Sequence, residues 1–209
     1  GSPAGSALPC GNVQFRAFYI TPQETKHERV FDFDDDKTLD TLRLESPHTV
    51  MFGISMAPSY SWLVEFDTKW YNWAGAAGYE DFDWENQWVF ALGVQYRPIP
   101  ALAFRTGFNF AKQPVNEHNG FNPGGTRNVQ GMNVKNMNYE IFRSVGFPAI
   151  AQTHLTFGVG YDITRTLVVN LSYMHSFEET FSQSSTGDLA KMESTMSQDS
   201  LSFGLTWRF

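Results

Sequence analysis

The sequence has a single cysteine in 209 residues, no uninterrupted apolar run near the roughly 18 residues that a membrane helix needs, and fewer bases than acids. Cys10 therefore has no partner for an internal disulfide, and no neighbouring residue stands at metal-ligand spacing from it. The missing apolar run excludes a helical membrane protein. A net charge of −7 supplies no basic stripe to displace counterions, so nucleic acid is not an expected partner. Catalytic signatures are missing as well. His27, His48, His118, His154 and His175 are scattered without zinc-protease spacing, and no nucleophile elbow, phosphate loop or dinucleotide fingerprint occurs. The expectation is a protein that is not an enzyme and carries no cofactor. The first residues lack the basic and apolar regions of a secretory signal. Residues 1–11 read as a linker or cloning remnant, and residues 12–209 as the folded part.

What the chain does have is aromatic residues, 16% of the total, at a mean hydropathy of only −0.32. Transmembrane barrels produce that combination, because each strand averages a lipid-facing apolar row against a polar lumen-facing row. Period-two alternation is present along most of the chain. Trp62, Val64, Phe66, Thr68 and Trp70 oppose Leu63, Glu65, Asp67, Lys69 and Tyr71. Phe90, Leu92, Val94 and Tyr96 oppose Ala91, Gly93, Gln95 and Arg97. The pattern repeats from Leu102, Leu155, Leu167 and Leu201, and more weakly from Val13 and Val50. That makes about eight strands of roughly ten residues, the length a tilted strand needs to cross a bilayer. Gly93, Gly107, Gly158, Gly160 and Gly204 all fall on the polar rows, where a lumen does not need large side chains. The expected class is all-β, an antiparallel transmembrane β-barrel.

The connections alternate between short and long. Short ones lie at 57–60, 98–100 and 164–165. Long ones lie near 22–47, 73–86, 112–151 and 178–199, and read as extracellular loops because outer-membrane barrels keep their turns short on the periplasmic side. Both ends of the folded part then lie on the periplasmic side. The 112–151 loop is long and carries Met132, Met137, Tyr139, Phe142 and Phe147, so it is expected to fold over the mouth. The Ser/Thr-rich 178–199 segment reads as a surface loop. The tryptophans, including Trp73 and Trp84, read as an interfacial girdle.

Three sets of residues are candidates for function. Arg97, Arg105 and Asn109, with the five apolar loop residues just named, would line a substrate path. The lumen charges Glu65, Asp67, Lys69 and Arg208 would brace the wall by pairing across strands. Asp32, Asp34, Asp36 and Asp40 match positions 1, 3, 5 and 9 of a calcium loop, but its turn glycine and bidentate glutamate are replaced by Lys37 and Arg43. A solvated acidic loop, with adventitious calcium at most, is the expectation there.

Specific strings add to this pattern. The run from Leu42 to Trp73, the Ala91-Leu92-Gly93 to Tyr96-Arg97-Pro98 strand followed by Arg105-Thr106-Gly107-Phe108-Asn109-Phe110 and Pro114, the hairpin from Thr153 to Phe177, and the terminal Trp207-Arg208-Phe209 resemble the FadL and toluene-channel family of outer-membrane transport proteins. That resemblance implies a fourteen-stranded barrel, of which this chain would be the C-terminal half, and passive uptake of long-chain fatty acids or aromatic hydrocarbons. It also implies a bacterial outer-membrane location, with hydrophobic solute, membrane lipid and lipopolysaccharide as partners. The missing N-terminal half or another copy would close the wall. A structural or adhesion barrel that transports nothing is the alternative.

Overall fold

The computed structural model describes residues 12–34, 36–146 and 149–207. Eight strands form one antiparallel sheet: β1 (Val13–Ile20), β4 (Thr49–Ser59), β5 (Trp62–Tyr71), β6 (Gln87–Ile99), β7 (Leu102–Ala111), β10 (Thr153–Asp162), β11 (Leu167–Ser184) and β12 (Lys191–Trp207), in that spatial order. Every neighbour in the sheet is also the next of these strands in sequence, the up-and-down arrangement of a barrel wall. The remaining elements lie in the long connections. These are the hairpin β2 (Glu24–Phe31) with β3 (Asp40–Glu45), the hairpin β8 (Thr126–Val129) with β9 (Met132–Lys135), and the helix α1 (Asn136–Gly146). No helix among the described residues is long and apolar enough to cross a membrane.

The pleat sorts the wall as the alternation requires. Phe52 on β4, Phe66 on β5, Phe90 and Leu92 on β6, Phe108 on β7, Phe157 on β10 and Leu171 on β11 stand exposed on the outer face. Exposure is greatest on the two edge strands, reaching 78% at Phe15 and 73% at Leu201. Large apolar side chains left uncovered over a whole face mark a surface whose solvent is not water.

Tight turns close one end of the wall. Ser59 pairs with Trp62 and Ile99 with Leu102, each after a bulge. At the third turn the Thr164 hydroxyl accepts the Leu167 amide at 3.0 Å. The opposite end carries the long connections, and they differ from simple loops. The segment 178–199 is mostly strand rather than loop: β11 and β12 continue past the wall and stay paired out to Ser184 and Lys191. Alternating Thr and Ser tolerate a pleated, solvated ribbon, and the Thr180 and Thr195 hydroxyls bond across it at 3.0 Å.

Among the described residues, the large apolar cluster lies in these connections. Phe33 and Leu42 from the first, Phe82 and Trp84 from the second, Val115, Val129, Val134 and Tyr139 from the third and Phe181 from the β11 extension bury one another. Trp73, Tyr79 and Trp84 form an aromatic knot with centroids 4.5 to 5.1 Å apart. Trp73 and Trp84 thus belong to this cap and not to an interfacial girdle, because the second connection folds inward where a girdle residue would point to lipid. Trp62, Trp88 and Trp207 do stand exposed on the wall.

Candidate functional site: the inner wall and its cap

Small residues on the inner face make room for long ones from neighbouring strands. Arg16, Gly53 and Asp67 are in register across β1, β4 and β5. With no side chain at Gly53, Arg16 crosses β4 and pairs with Glu65 and, at 3.8 Å, with Asp67; a Cβ at that glycine would collide with the Asp67 carboxylate. Glu65 and Asp67 therefore brace the wall as carboxylates should, but their base is Arg16, which the sequence pattern did not single out. Lys69 sits higher on β5, opposite Met51 and Val89.

Arg105 repeats the device without an acid. Gly158 stands opposite it on β10, and a Cβ at Gly160 would come within 2.9 Å of its Nη1. Lying across these glycines, the guanidinium donates through Nε to Gln95 Oε1 at 2.9 Å and through Nη1 to Asn170 Oδ1 at 3.2 Å. Both partners are neutral amides, and the ion pairs among the described residues do not include Arg105. The guanidinium is thus hydrogen-bonded to amides only, with the Asp162 carboxylate acting on it at a distance, in a recess of about 550 Å³ whose lining includes Glu65, Gln95, Thr156, Asn170 and Ser172. Such a fork matches a carboxylate in geometry.

The other path candidates are not gathered at Arg105. Asn109 lies on the same face of β7, roughly 13 Å further along at 3.3 Å per residue. Arg97 is at the turn end and donates to the Pro100 carbonyl at 3.3 Å. Met132 and Tyr139 are buried in the cap, Phe142 packs edge-on against Phe33 with centroids 5.0 Å apart, and Met137 is half-buried on α1. Phe147 and Arg208 lie outside the described residues.

A charged cluster that sequence reasoning missed holds the cap together. Arg143, fully buried on α1, donates through Nε to the Phe82 carbonyl at 2.6 Å, through Nη2 to the Asn116 carbonyl at 2.7 Å and through Nη1 to Glu140 Oε2 at 2.9 Å. His118 bridges two carboxylates, with Nε2 2.6 Å from Asp83 Oδ2 and Nδ1 2.7 Å from Glu140 Oε1. Arg143 Nη1 also lies 2.6 Å from Nδ1, so that nitrogen either donates to Glu140 or accepts from Arg143. Burial alone would raise the Glu140 carboxyl, but the His118 hydrogen bond and the charges of His118 and Arg143 outweigh it and hold the group below its ordinary value. Asp83 is lowered in the same way, against burial, by His118, Arg143 and Arg127. The Glu140 and Arg143 spacing of three on one helix was a signal available in the sequence; the partners 22 and 35 residues from His118 and Glu140's neighbours in other connections were not.

At the tip between β2 and β3, ligand atoms of Asp32, Asp34 and Asp40 lie within 4.8 Å of one another. Asp34 Oδ1 is enclosed without a hydrogen-bond partner among the described residues, which suits a hard cation. Asp36 is not part of this group; it accepts the Thr38 amide at 2.7 Å.

No protein-family model matches the chain, and no curated protein matches it. Solved structures do. The Pseudomonas putida toluene transporter TodX aligns over 95% of this chain and 46% of its own, with 16% identity and a TM-score of 0.55. A Pseudomonas aeruginosa FadL homologue aligns over 82% of this chain and 38% of its own, at 12% identity and a TM-score of 0.52. The fold is that of the FadL-type channels. The Ralstonia pickettii toluene transporter TbuX agrees, over 93% of this chain and 44% of its own, at 12% identity and a TM-score of 0.50. This chain spans about half the length of the FadL-type chains it matches, and its eight-stranded sheet has the fold of part of such a β-barrel wall.

Proposed function

We propose that the chain is the wall-and-cap portion of a bacterial outer-membrane channel for passive uptake of hydrophobic molecules, long-chain fatty acids or aromatic hydrocarbons, and that it catalyses no reaction. The observation that carries this reading is the two-faced wall, apolar outside and bedded with glycine inside, beneath a folded cap. TodX and TbuX are toluene transporters. Between the two solute classes, Arg105 favours the acid, since its protein partners are uncharged and a carboxylate would complete its fork. Neither β1 nor β12 has a second neighbour among the described strands. Unpaired edges are not tolerated in lipid, so further strands of a larger barrel, or another copy, complete the wall. Membrane lipid and lipopolysaccharide surround it. The acidic tip is a weak, adventitious calcium site in this reading.

Uptake of labelled oleate and labelled toluene into liposomes tests the proposal, using the wild-type chain and Arg105→Gln in the assembled barrel. Transport of both solutes by the wild type is expected, with Arg105→Gln slowing oleate and sparing toluene. Uptake of neither would leave a structural or adhesion barrel as the better account.

A further inference from the structure

We infer that the 112–146 strap and the 73–86 connection form one clasped lid, locked to each other through Arg143, Glu140, His118 and Asp83 and seated on the β11–β12 extension through Gln183 and Ser184, and that the two loosen together when that cluster is broken. This rests on the channel reading for its purpose but not for its geometry.

The β11–β12 extension is the fixed post. It is continuous with the wall and paired out to Ser184 and Lys191. The strap reaches it through a second layer of contacts: Gln183 donates to the Glu140 carbonyl at 3.3 Å and to Ser144 Oγ at 3.0 Å, and its Oε1 accepts the His118 amide at 3.4 Å. The Gly120 amide bonds the Ser184 carbonyl at 2.7 Å. The 73–86 connection is tied in by the Phe82 carbonyl on Arg143, the Asp83 carboxylate on His118 and the Tyr139 hydroxyl on the Asp81 carbonyl at 2.9 Å.

The two connections therefore meet at one guanidinium and one imidazole, and the extension joins them separately, through Gln183 and Ser184. Among the described residues, the charges that act on the two carboxylates of the cluster are His118, Arg143 and, on Asp83, Arg127 from β8, whose guanidinium lies 4.5 Å from the Tyr139 ring centre. Removing a buried member of such a network leaves its partners desolvated and underpaired, so both connections that meet there loosen together. Loops held by separate contacts would instead loosen one at a time.

The strap's own secondary structure does not depend on the cluster. The β8–β9 hairpin closes on itself, and α1 has its backbone bonds. What the cluster adds is attachment. An opened lid remains folded and leaves the wall strands untouched.

Hydrogen exchange read by mass spectrometry on the membrane-embedded protein tests this. Glu140→Gln keeps the shape and removes the charge; it is expected to speed exchange in 79–84 and in 112–146 by the same factor, at least about tenfold, with no change in β5, β6 or β7. Should Glu140→Gln prevent folding, Asp83→Asn, at the exposed rim of the cluster, is expected to produce the same paired acceleration at smaller amplitude. Acceleration confined to α1, unequal factors in the two segments, or no acceleration overturns the lid. Uptake measured on the same samples separates the two readings. A wild type that transports nothing while the paired acceleration is seen defeats the channel reading alone. A transporting wild type with unpaired exchange defeats the lid alone.

Discussion

Leu92 and Gly93 are adjacent on β6 and point to opposite faces, which makes them a sharp test of what surrounds the wall. Leu92 is 46% exposed on the outer face, near the middle of a strand that runs from Gln87 to Ile99. Replaced by arginine in a protein bathed in water, it would change stability by no more than about 0.5 kcal/mol, as surface substitutions do. In a bilayer the same change puts a guanidinium near the hydrocarbon midplane and costs about 2–4 kcal/mol, a factor of roughly 30 to 700 in the folding equilibrium. Gly93→Ser is the control. A Cβ at Gly93 meets nothing within 4 Å, so the hydroxymethyl group has space on the inner face and the cost is expected to stay within about 0.5 kcal/mol. Urea titration of the assembled barrel in lipid vesicles gives both values. If Leu92→Arg proves as mild as Gly93→Ser, the outward face is not in lipid and the assignment of the two faces fails.

The clasp has a definite pH dependence. Glu140 and Asp83 are held below their ordinary values in the folded cap, so the stability they contribute is fully present above the usual carboxylate range, about 4, and is lost as pH falls through the lowered values. Exchange in residues 112–146 corrected for intrinsic rate is expected to rise as pH falls below about 4; exchange that slows or stays level on that acidification would contradict the assigned direction. Calcium at millimolar concentration is expected to slow exchange around the β2–β3 tip only, and Asp34→Asn to abolish that effect while Asp36→Asn leaves it intact. Equal effects of the two variants would remove Asp34 from the site.

The wall was legible in the sequence because a lipid-facing sheet writes itself as period two. Rows such as Phe90, Leu92, Val94 and Tyr96 against Ala91, Gly93, Gln95 and Arg97 carry the assignment strand by strand, and the short turns at Ser59 and Ile99 fall where the alternation breaks. The cap was legible only as a long apolar loop expected over the mouth; its fold was not, for two reasons. Its core draws Phe82, Tyr139 and Phe181 from three different connections, so no local period exists to detect. Its ribbon from 178 to 199 is rich in Ser and Thr on both faces and reads as loop by composition, although the pairing of its neighbours carries the strands onward. The lumen was half legible. Its charges and glycines were visible, but the rule that a glycine on one strand lets an arginine from the next reach further appears only once register places Arg16 beside Gly53, and Arg105 beside Gly158.

The separation of a dry core in the cap from a wall that has none divides the protein thermodynamically. Burying apolar surface away from water is what gives unfolding its large positive heat-capacity change, and here that surface belongs to Phe82, Val129, Tyr139, Phe181 and their neighbours in the cap. The wall's apolar side chains trade lipid for protein neighbours and contribute little to it. Calorimetry of such a molecule would thus report chiefly on the cap, with its curved stability and its weakening in the cold, while the choice of lipid or detergent would govern the wall.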